Sequence, residues 1–301
     1  MAESFDGDWL DLREPFDAAA RDAGLAARLA RALPARPRIM DLGAGTGALL
    51  RWLGHFIGRA QAWTLVDADA ALIERAFDTT AERAAAAGWG VTWPGRKMLL
   101  VHSPKGAWRI EGLAADLAEA PDNLPLHLVD AVVNTALCDL VSEDWIARMA
   151  AACAEHGLPF YSALNVTGRE SFSPPARPGD ALVARGFARD QARDKGFGGL
   201  ALGARAPAAI AAAFAAHGYT VLRAPADWAV RTRPLNSAAS AFARELVGGM
   251  AGAAGQHARR HRLTLRDWAR LRADQAEAGQ LAFRIGHADL LCLPPGKDTA
   301  R

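Results

Sequence analysis

The sequence predicts an α/β protein built on a doubly wound, mostly parallel sheet. The first observation behind this is the stretch "RIMDLGAGTGALLRWL" (Arg38 to Leu53), in which an apolar run, three glycines and an amphipathic run follow one another. Ile39, Met40 and Leu42 read as the end of a buried strand. Leu49, Leu50, Leu53 and Ile57 recur at helical spacing, with Arg51, His55 and Arg59 turned elsewhere. The second is an alternation of strand-like and helix-like runs that continues to Val166 and resumes after residue 205. The third is composition: 301 residues, 51% of them hydrophobic, are enough to bury the core of one large α/β domain.

The elements follow in order. Helical patterning covers Pro15 to Leu33 and is closed by "PARP" before the glycine strand. "AQAWTLVDAD" is a second strand ending at Asp67, and "ALIERAFDTTAERAAAAG" a helix stopped at Gly88. "KMLLVHSPKGAWRIEGLAADL" reads as a hairpin excursion around "SPKG" whose second arm becomes the third strand. "HLVDAVVNTAL" is the fourth strand, leading into a helix near Ser142, and "LPFYSALNV" the fifth. The rhythm then breaks. "TGRESFSPPARPGD" reads as a loop and "ALVARGFARDQARDKGFGG" as a polar helical insert. A helix over Pro207 to His217 and the strand "YTVLRAP" resume the pattern. A second insert is helical, with Thr264 as cap of "LRDWARLRAD", and the strand "QLAFRIGHADLLCL" closes the chain. The expected division is a helical cap over 1–36, a core over 37–166, a lid insert over 167–204, core again over 205–233, a helical cap insert over 234–279 and a final strand over 280–295.

A formal net charge of +2, from 35 basic and 33 acidic residues, gives no general electrostatic case for nucleic acid. The acidic start "MAESFDGDWLDLREPFD" lacks the apolar centre of a signal peptide, and no apolar run reaches membrane-spanning length. Cys138, Cys153 and Cys292 are widely separated, which fits buried thiols of a reducing cytoplasm. No Cys/His cluster has zinc-ligand spacing.

The glycine turn needs a ligand. A dinucleotide fingerprint wants G-x-G-x-x-G, whereas here Gly43-Ala44-Gly45-Thr46-Gly47 brings the third glycine one step early. Asp41, two residues before the turn, would face a pyrophosphate with like charge and suits a cationic ligand better. Asp67 ends the second strand, where a carboxylate can take both hydroxyls of a ribose, and Asp116 follows the third strand, placed for an adenine amine. Carboxylates at three consecutive strand ends describe a cationic adenosine derivative.

Carried by "IMDLGAGTG", "LVDAD", "GLAADL" and "VVNTALCDLVS", residues 37 to 140 resemble class I S-adenosylmethionine-dependent methyltransferases. The whole chain, with "WLDLREP", "DKGFG" and "RIGHADLL", looks like the stand-alone bacterial members that act on small molecules. The resemblance implies a Rossmann-like sheet of seven strands, the last antiparallel, and S-adenosylmethionine as cofactor. It implies that Asp41, Gly43, Ala44, Gly45 and Gly47 line the methionine and ribose parts, that Asp67 and Ala68 hold the ribose, and that Asp116 and Leu117 hold the adenine. Asn134 would sit beside the amino-acid end. "NTAL" stands where DNA and RNA amino methyltransferases carry an "NPPY"-type tetrad, which weakens a nucleobase-amine substrate.

Ligands in open α/β sheets lie beyond the carboxyl ends of the strands, which sorts the acceptor-side candidates. His127, His156 and His217 precede strands and fall at the wrong edge. Asn134, Thr135 and Asp139 stand at the right edge after strand four. Asp139 reads as the candidate base or as an acid favouring a helix dipole. Arg13 and Arg21 could meet the cofactor carboxylate or an acidic substrate, Gln191 and Lys195 run into a glycine hinge, and the arginines of 234–279 read as an RNA surface or a solvated cap. The reading is a methyltransferase acting on an oxygen or nitrogen of a small metabolite. An RNA methyltransferase and an NAD-dependent oxidoreductase are the alternatives.

Overall fold

A computed structural model describes residues 6–176 and 178–296. The first five residues of the expected cap and residue 177 of the expected lid lie outside the described residues.

The strands are β1 (Arg38–Leu42), β2 (Gln61–Asp67), β3 (Gly90–Gly95), β4 (Met98–Ser103), β5 (Gly106–Ala114), β6 (Ala131–Thr135), β7 (Phe160–Ser173), β8 (Thr220–Pro225), β9 (Trp228–Arg231) and β10 (Ala282–Leu293). The helices are α1 (Gly7–Ala20), α2 (Ala23–Ala32), α3 (Ala48–Ile57), α4 (Ala70–Ala86), α5 (Glu143–Glu155), α6 (Gly179–Gln191), α7 (Ala206–Ala216), α8 (Ser237–His257) and α9 (Arg262–Glu277).

All strands join one sheet in the order β3-β4-β5-β2-β1-β6-β7-β10-β8, with β9 alongside β10. Strands β5, β2, β1, β6 and β7 run parallel, and β10 lies antiparallel between β7 and β8. The sheet is therefore the expected doubly wound one. Among the described residues its strand count is ten rather than seven, because β4 pairs antiparallel with β5, β3 antiparallel with β4, and β9 adds a short arm.

Alternating side chains on β1, β2 and β6 feed two cores. Ile39, Leu65 and Val133 pack with α2, α3 and α4 on one face, while Met40, Val66 and Val132 pack with α5 and α7 on the other. A third core lies beyond the sheet's carboxyl edge, where Phe242, Trp268, Trp228, Phe283 and Ile285 hold α8 and α9 against the outer ends of β9 and β10.

Three readings are corrected here. The segment "TGRESFS" continues β7 as strand, since Glu170 to Ser173 find ladder partners in Ile285 to Ala282 of β10, more than 100 residues away in sequence. The N-terminal helix is two helices, divided at Asp22, whose side chain accepts from Leu25 N at 2.7 Å. Thr264 lies inside α9, which begins at Arg262 without a side-chain cap.

α1 is fixed across the carboxyl edge. Glu14 is buried, and its two oxygens accept from Arg51 Nε and Nη2 (2.9 and 2.6 Å) and from Arg83 Nη1 and Nη2 (2.7 and 2.8 Å). Arg51, which the helical spacing turns away from the apolar positions, is thus a buried anchor that also donates to Thr46 O at 2.6 Å. The start of α2 is held by the last strand, because Asp289 Oδ2 accepts from Asp22 N at 2.8 Å.

Candidate active site

The turn at the tip of β1 carries φ of +63° at Gly43, +52° at Gly45 and +79° at Gly47, the left-handed region that glycine enters without cost. A side chain at Gly45 would begin 3.0 Å from Leu10 of α1. Above this turn, α1 and the segment 195–197 close a cleft of about 410 Å³ over the tips of β1, β2, β5 and β6.

Ten of the residues singled out in the sequence line it: Gly43, Ala44, Gly45, Asp67, Ala68, Asp116, Leu117, Arg13, Thr135 and Lys195. Asp67 is the best defined. Its Oδ2 accepts from Gly45 N at 2.9 Å and its Oδ1 from Asp69 N at 3.0 Å. Burial pushes its carboxyl above the usual range, and those backbone donors oppose the rise. Asp116 caps the next turn through Ala118 N at 2.9 Å, beside Leu117, whose carbonyl accepts from Trp145 Nε1 at 2.7 Å. Beyond β6 the chain passes through Ala136 at φ +51°, a conformation that costs a non-glycine residue about 1 kcal/mol or more. Ala136 N donates to Ala163 O at 2.9 Å and so fixes the wall formed by Leu137 and Leu140.

Six expected residues stand elsewhere. Asp41 is fully buried beneath the turn, with neither oxygen hydrogen-bonded, and burial pushes its carboxyl up to about 8 against the opposing pull of Arg21. Gly47 caps α3 and packs on Ala76 and Arg51. Asn134 is buried on the same face of the sheet as Val132, where its Oδ1 accepts from Ser162 Oγ at 2.8 Å and Cys138 Sγ at 3.4 Å. Arg21 is buried and meets the cleft through two of its lining residues: Thr135, whose Oγ1 accepts from its Nη2 at 3.1 Å, and Asp17, whose Oδ2 lies 3.8 Å from the same nitrogen. Gln191 ends α6, its backbone against Gly203. Asp139 is buried outside the lining, and its backbone carbonyl accepts from Gly203 N at 2.8 Å. The role of base is therefore not supported by its position: it ties the post-β6 segment to the turn at 203.

Among the described residues, no part of 234–279 lines the cleft; α8 packs instead on α1, where Phe242 stacks on Phe16 at 4.2 Å. The expected covering role of this insert is corrected to support of α1.

The sequence reading missed Asp17, Asp69 and Phe197, which line the cleft, and Trp228 and His287 behind it. Asp17 Oδ2 accepts from Arg13 Nε and its Oδ1 from Trp228 Nε1, both at 3.0 Å. His287 is buried against the Trp228 ring at 4.7 Å. Its Nδ1 donates to Ile285 O at 3.0 Å, and burial pulls its pKa down to about 4, so the ring is neutral. Only the i, i+4 spacing of Arg13 and Asp17 was visible in sequence; Trp228 is 211 residues away.

Among the described residues no group of three or more His, Cys, Asp or Glu side chains is placed to hold a metal ion, and no helix is long and apolar enough to cross a membrane.

No family model matches the chain, and no curated protein does. Among solved structures, the chain is similar to a cyclopropane-fatty-acyl-phospholipid synthase-like protein from Lactobacillus casei at 14% identity, covering 93% of this chain and 98% of that one with a TM-score of 0.49. A cyclopropane synthase from Mycobacterium tuberculosis is 14% identical over 90% of this chain and 83% of its own, at a TM-score of 0.43. An S-adenosylmethionine-dependent methyltransferase from Geobacter sulfurreducens, solved with S-adenosyl-L-homocysteine, is 15% identical over 91% of each chain, at a TM-score of 0.41.

Proposed function

We propose that the protein is an S-adenosylmethionine-dependent methyltransferase acting on an oxygen or nitrogen of a small metabolite. The observation that carries this reading is Asp67 at the tip of β2, facing the cleft with its carboxylate held by Gly45 N and Asp69 N. Two donors leave a carboxylate with further acceptor sites, enough for the paired hydroxyls of a ribose. The same contact speaks against a dinucleotide, since the amide that would meet a pyrophosphate is already given to a carboxylate.

The residues present fit the cofactor. Gly43 and Gly45 leave room over β1, Asp67 would hold the ribose, and Asp116 with Leu117 would hold the adenine. Thr135, oriented by Arg21, would meet the polar end. When bound, S-adenosylmethionine supplies an electrophilic methyl group on sulfur. The chain's own contribution is to align the acceptor and exclude water, for which the roof of Leu10, Arg13 and Phe197 is suited.

Calorimetry with S-adenosylhomocysteine and with NAD tests the reading. The first should bind and the second should not. Asp67→Ala should lose about 1.5–3 kcal/mol of that binding, the range for hydrogen bonds to a charged group. Equal affinity in wild type and variant would remove the ribose assignment.

A further inference from the structure

We infer that the methyl acceptor carries a carboxylate and that the Nη1–Nη2 edge of Arg13 is what holds it. The inference rests on the methyltransferase reading and narrows its substrate.

The balance of charge at the β6 end of the cleft comes first. Arg13 and Arg21 share one carboxylate there, that of Asp17, whose Oδ2 lies 3.0 Å from Arg13 Nε and 3.8 Å from Arg21 Nη2. Among the described residues no other carboxylate pairs with either guanidinium. Lys195, the remaining cation of the lining, is matched by Asp190, whose Oδ2 accepts from its Nζ at 3.1 Å. Two guanidiniums against one carboxylate leave an excess of positive charge. A ligand carboxylate offsets that excess, and an ammonium adds to it.

The donors come second. Arg13 gives Asp17 only its Nε. Among the described residues its Nη1 and Nη2 have no acceptor, and the side chain, 12% exposed, lines the cleft. Those two nitrogens form a planar, two-pronged edge that matches both oxygens of a carboxylate. Arg21 adds to the demand for an anion. Its side chain is fully buried, and its Nε and Nη1 have no partner.

The third point is place. Ribose and adenine are assigned to Asp67 at the tip of β2 and to Asp116 after β5. The Arg13 guanidinium instead lies 4.9 Å from the ring of Trp228 on β9, which pairs with β10. In the sheet, β1, β6 and β7 stand between β2 and β10, so Arg13 faces the end of the cleft that the adenosine leaves open. It is also held still there. Trp228 Nε1 fixes Asp17 Oδ1 at 3.0 Å, and the Trp228 ring is packed by Phe242 at 5.0 Å and His287 at 4.7 Å. A carboxylate bound to this edge has its oxygens engaged by a cation, which lowers their nucleophilicity. It is therefore the handle, and the methyl group goes to another oxygen or nitrogen of the same molecule. Leu137, Leu140 and Phe197 supply an apolar wall for the body between the two.

The test titrates benzoate and its neutral isostere benzamide calorimetrically into the full chain saturated with S-adenosylhomocysteine. Benzoate should bind at least about tenfold more tightly than benzamide, the worth of one hydrogen bond to a charged group. Arg13→Gln leaves Asp17 its contacts with Arg21 and Trp228 and should abolish that preference. Arg13→Lys keeps the charge opposite Asp17 without the two-pronged edge and should lose most of it, which serves where Arg13→Gln does not fold. Benzamide binding as tightly as benzoate overturns the inference, as does the failure of both probes to bind, or a folded variant that keeps the full preference. A fall in S-adenosylhomocysteine affinity equal to the fall for benzoate would assign Arg13 to the cofactor and also overturn it. A wild-type chain that does not bind S-adenosylhomocysteine removes the methyltransferase reading and the acceptor with it. One that binds it and shows no preference for benzoate removes the inference alone.

Discussion

A carboxylate with no hydrogen bond, sealed under a glycine turn, is an expensive group, and Asp41 shows how the expense appears as pH dependence. Its folded pKa of about 8 stands far above its ordinary value of 3.8. Between those values the folded chain holds a proton that the unfolded chain has released, so this group's contribution to stability declines as pH rises. The slope approaches about 1.4 kcal/mol per pH unit. Asp41→Asn cannot titrate. Its stability relative to wild type should therefore improve steadily from pH 5 to pH 8, read from urea midpoints at each pH; a difference that stays flat would show that Asp41 is ionised throughout. Single residues were unevenly legible in the sequence. Asp67 and Asp116 were found because strand ends are visible in a hydrophobic pattern and the ligand edge follows from them. Asn134 was misread because its strand register, and so the face it points to, is settled by pairing with β1 and β7. The anchoring role of Arg51 was not legible because its partner, Glu14, lies 37 residues earlier on another helix.

The element that decides the site is α1. Its sequence has little helical amphipathicity to announce it, with Pro15 in its interior and two acids, Glu14 and Asp17, as its buried residues. Trp9, Leu12 and Phe16 are only partly buried against the third core, and a helix whose most buried side chains are ion-paired acids escapes a reading that searches for apolar stripes. Glu14→Gln should expose this dependence. It removes one charge from a buried arrangement with two arginines, a change that costs about 3–5 kcal/mol when it leaves a buried charge unpaired. Chemical denaturation measures the loss, and S-adenosylhomocysteine affinity should fall with it, because Leu10, Arg13 and Asp17 line the cleft from the same helix. A variant of wild-type stability would mean that apolar contacts such as Phe16 on Phe242 hold α1 unaided. The outer half of β7 was missed for a related reason: "TGRESFSPP" carries turn formers locally, and only β10 makes it strand.

At the scale of the whole molecule, Asp289 of β10 is the point where the two ends of the fold meet. Its buried carboxylate accepts from Asp22 N at 2.8 Å, Leu164 N at 2.8 Å and Tyr161 Oη at 3.0 Å. Asp289→Ala strands three donors in the interior and should cost about 3–6 kcal/mol at neutral pH, read from denaturant midpoints, with Asp289→Asn intermediate. A loss below 1 kcal/mol, on the order of an ordinary surface substitution, would mean that water reaches the site. The broad topology was legible because alternation, glycine placement and strand ends are local signals. The meeting of α2 with β10 was not, since the bond that makes it spans 267 residues. That bond also sets an order of events during synthesis. α2 leaves the ribosome well before β10, the strand on which it is seated. A growing chain can pair β1 with β2 and β2 with β5 early, but α2 has no completed seat until β10 slides between β7 and β8. The seating of α2 should therefore be completed abruptly once β10 has emerged rather than accumulate with length, and a nascent chain halted before Asp289 would leave Asp22 N, Leu164 N and Tyr161 Oη without their acceptor.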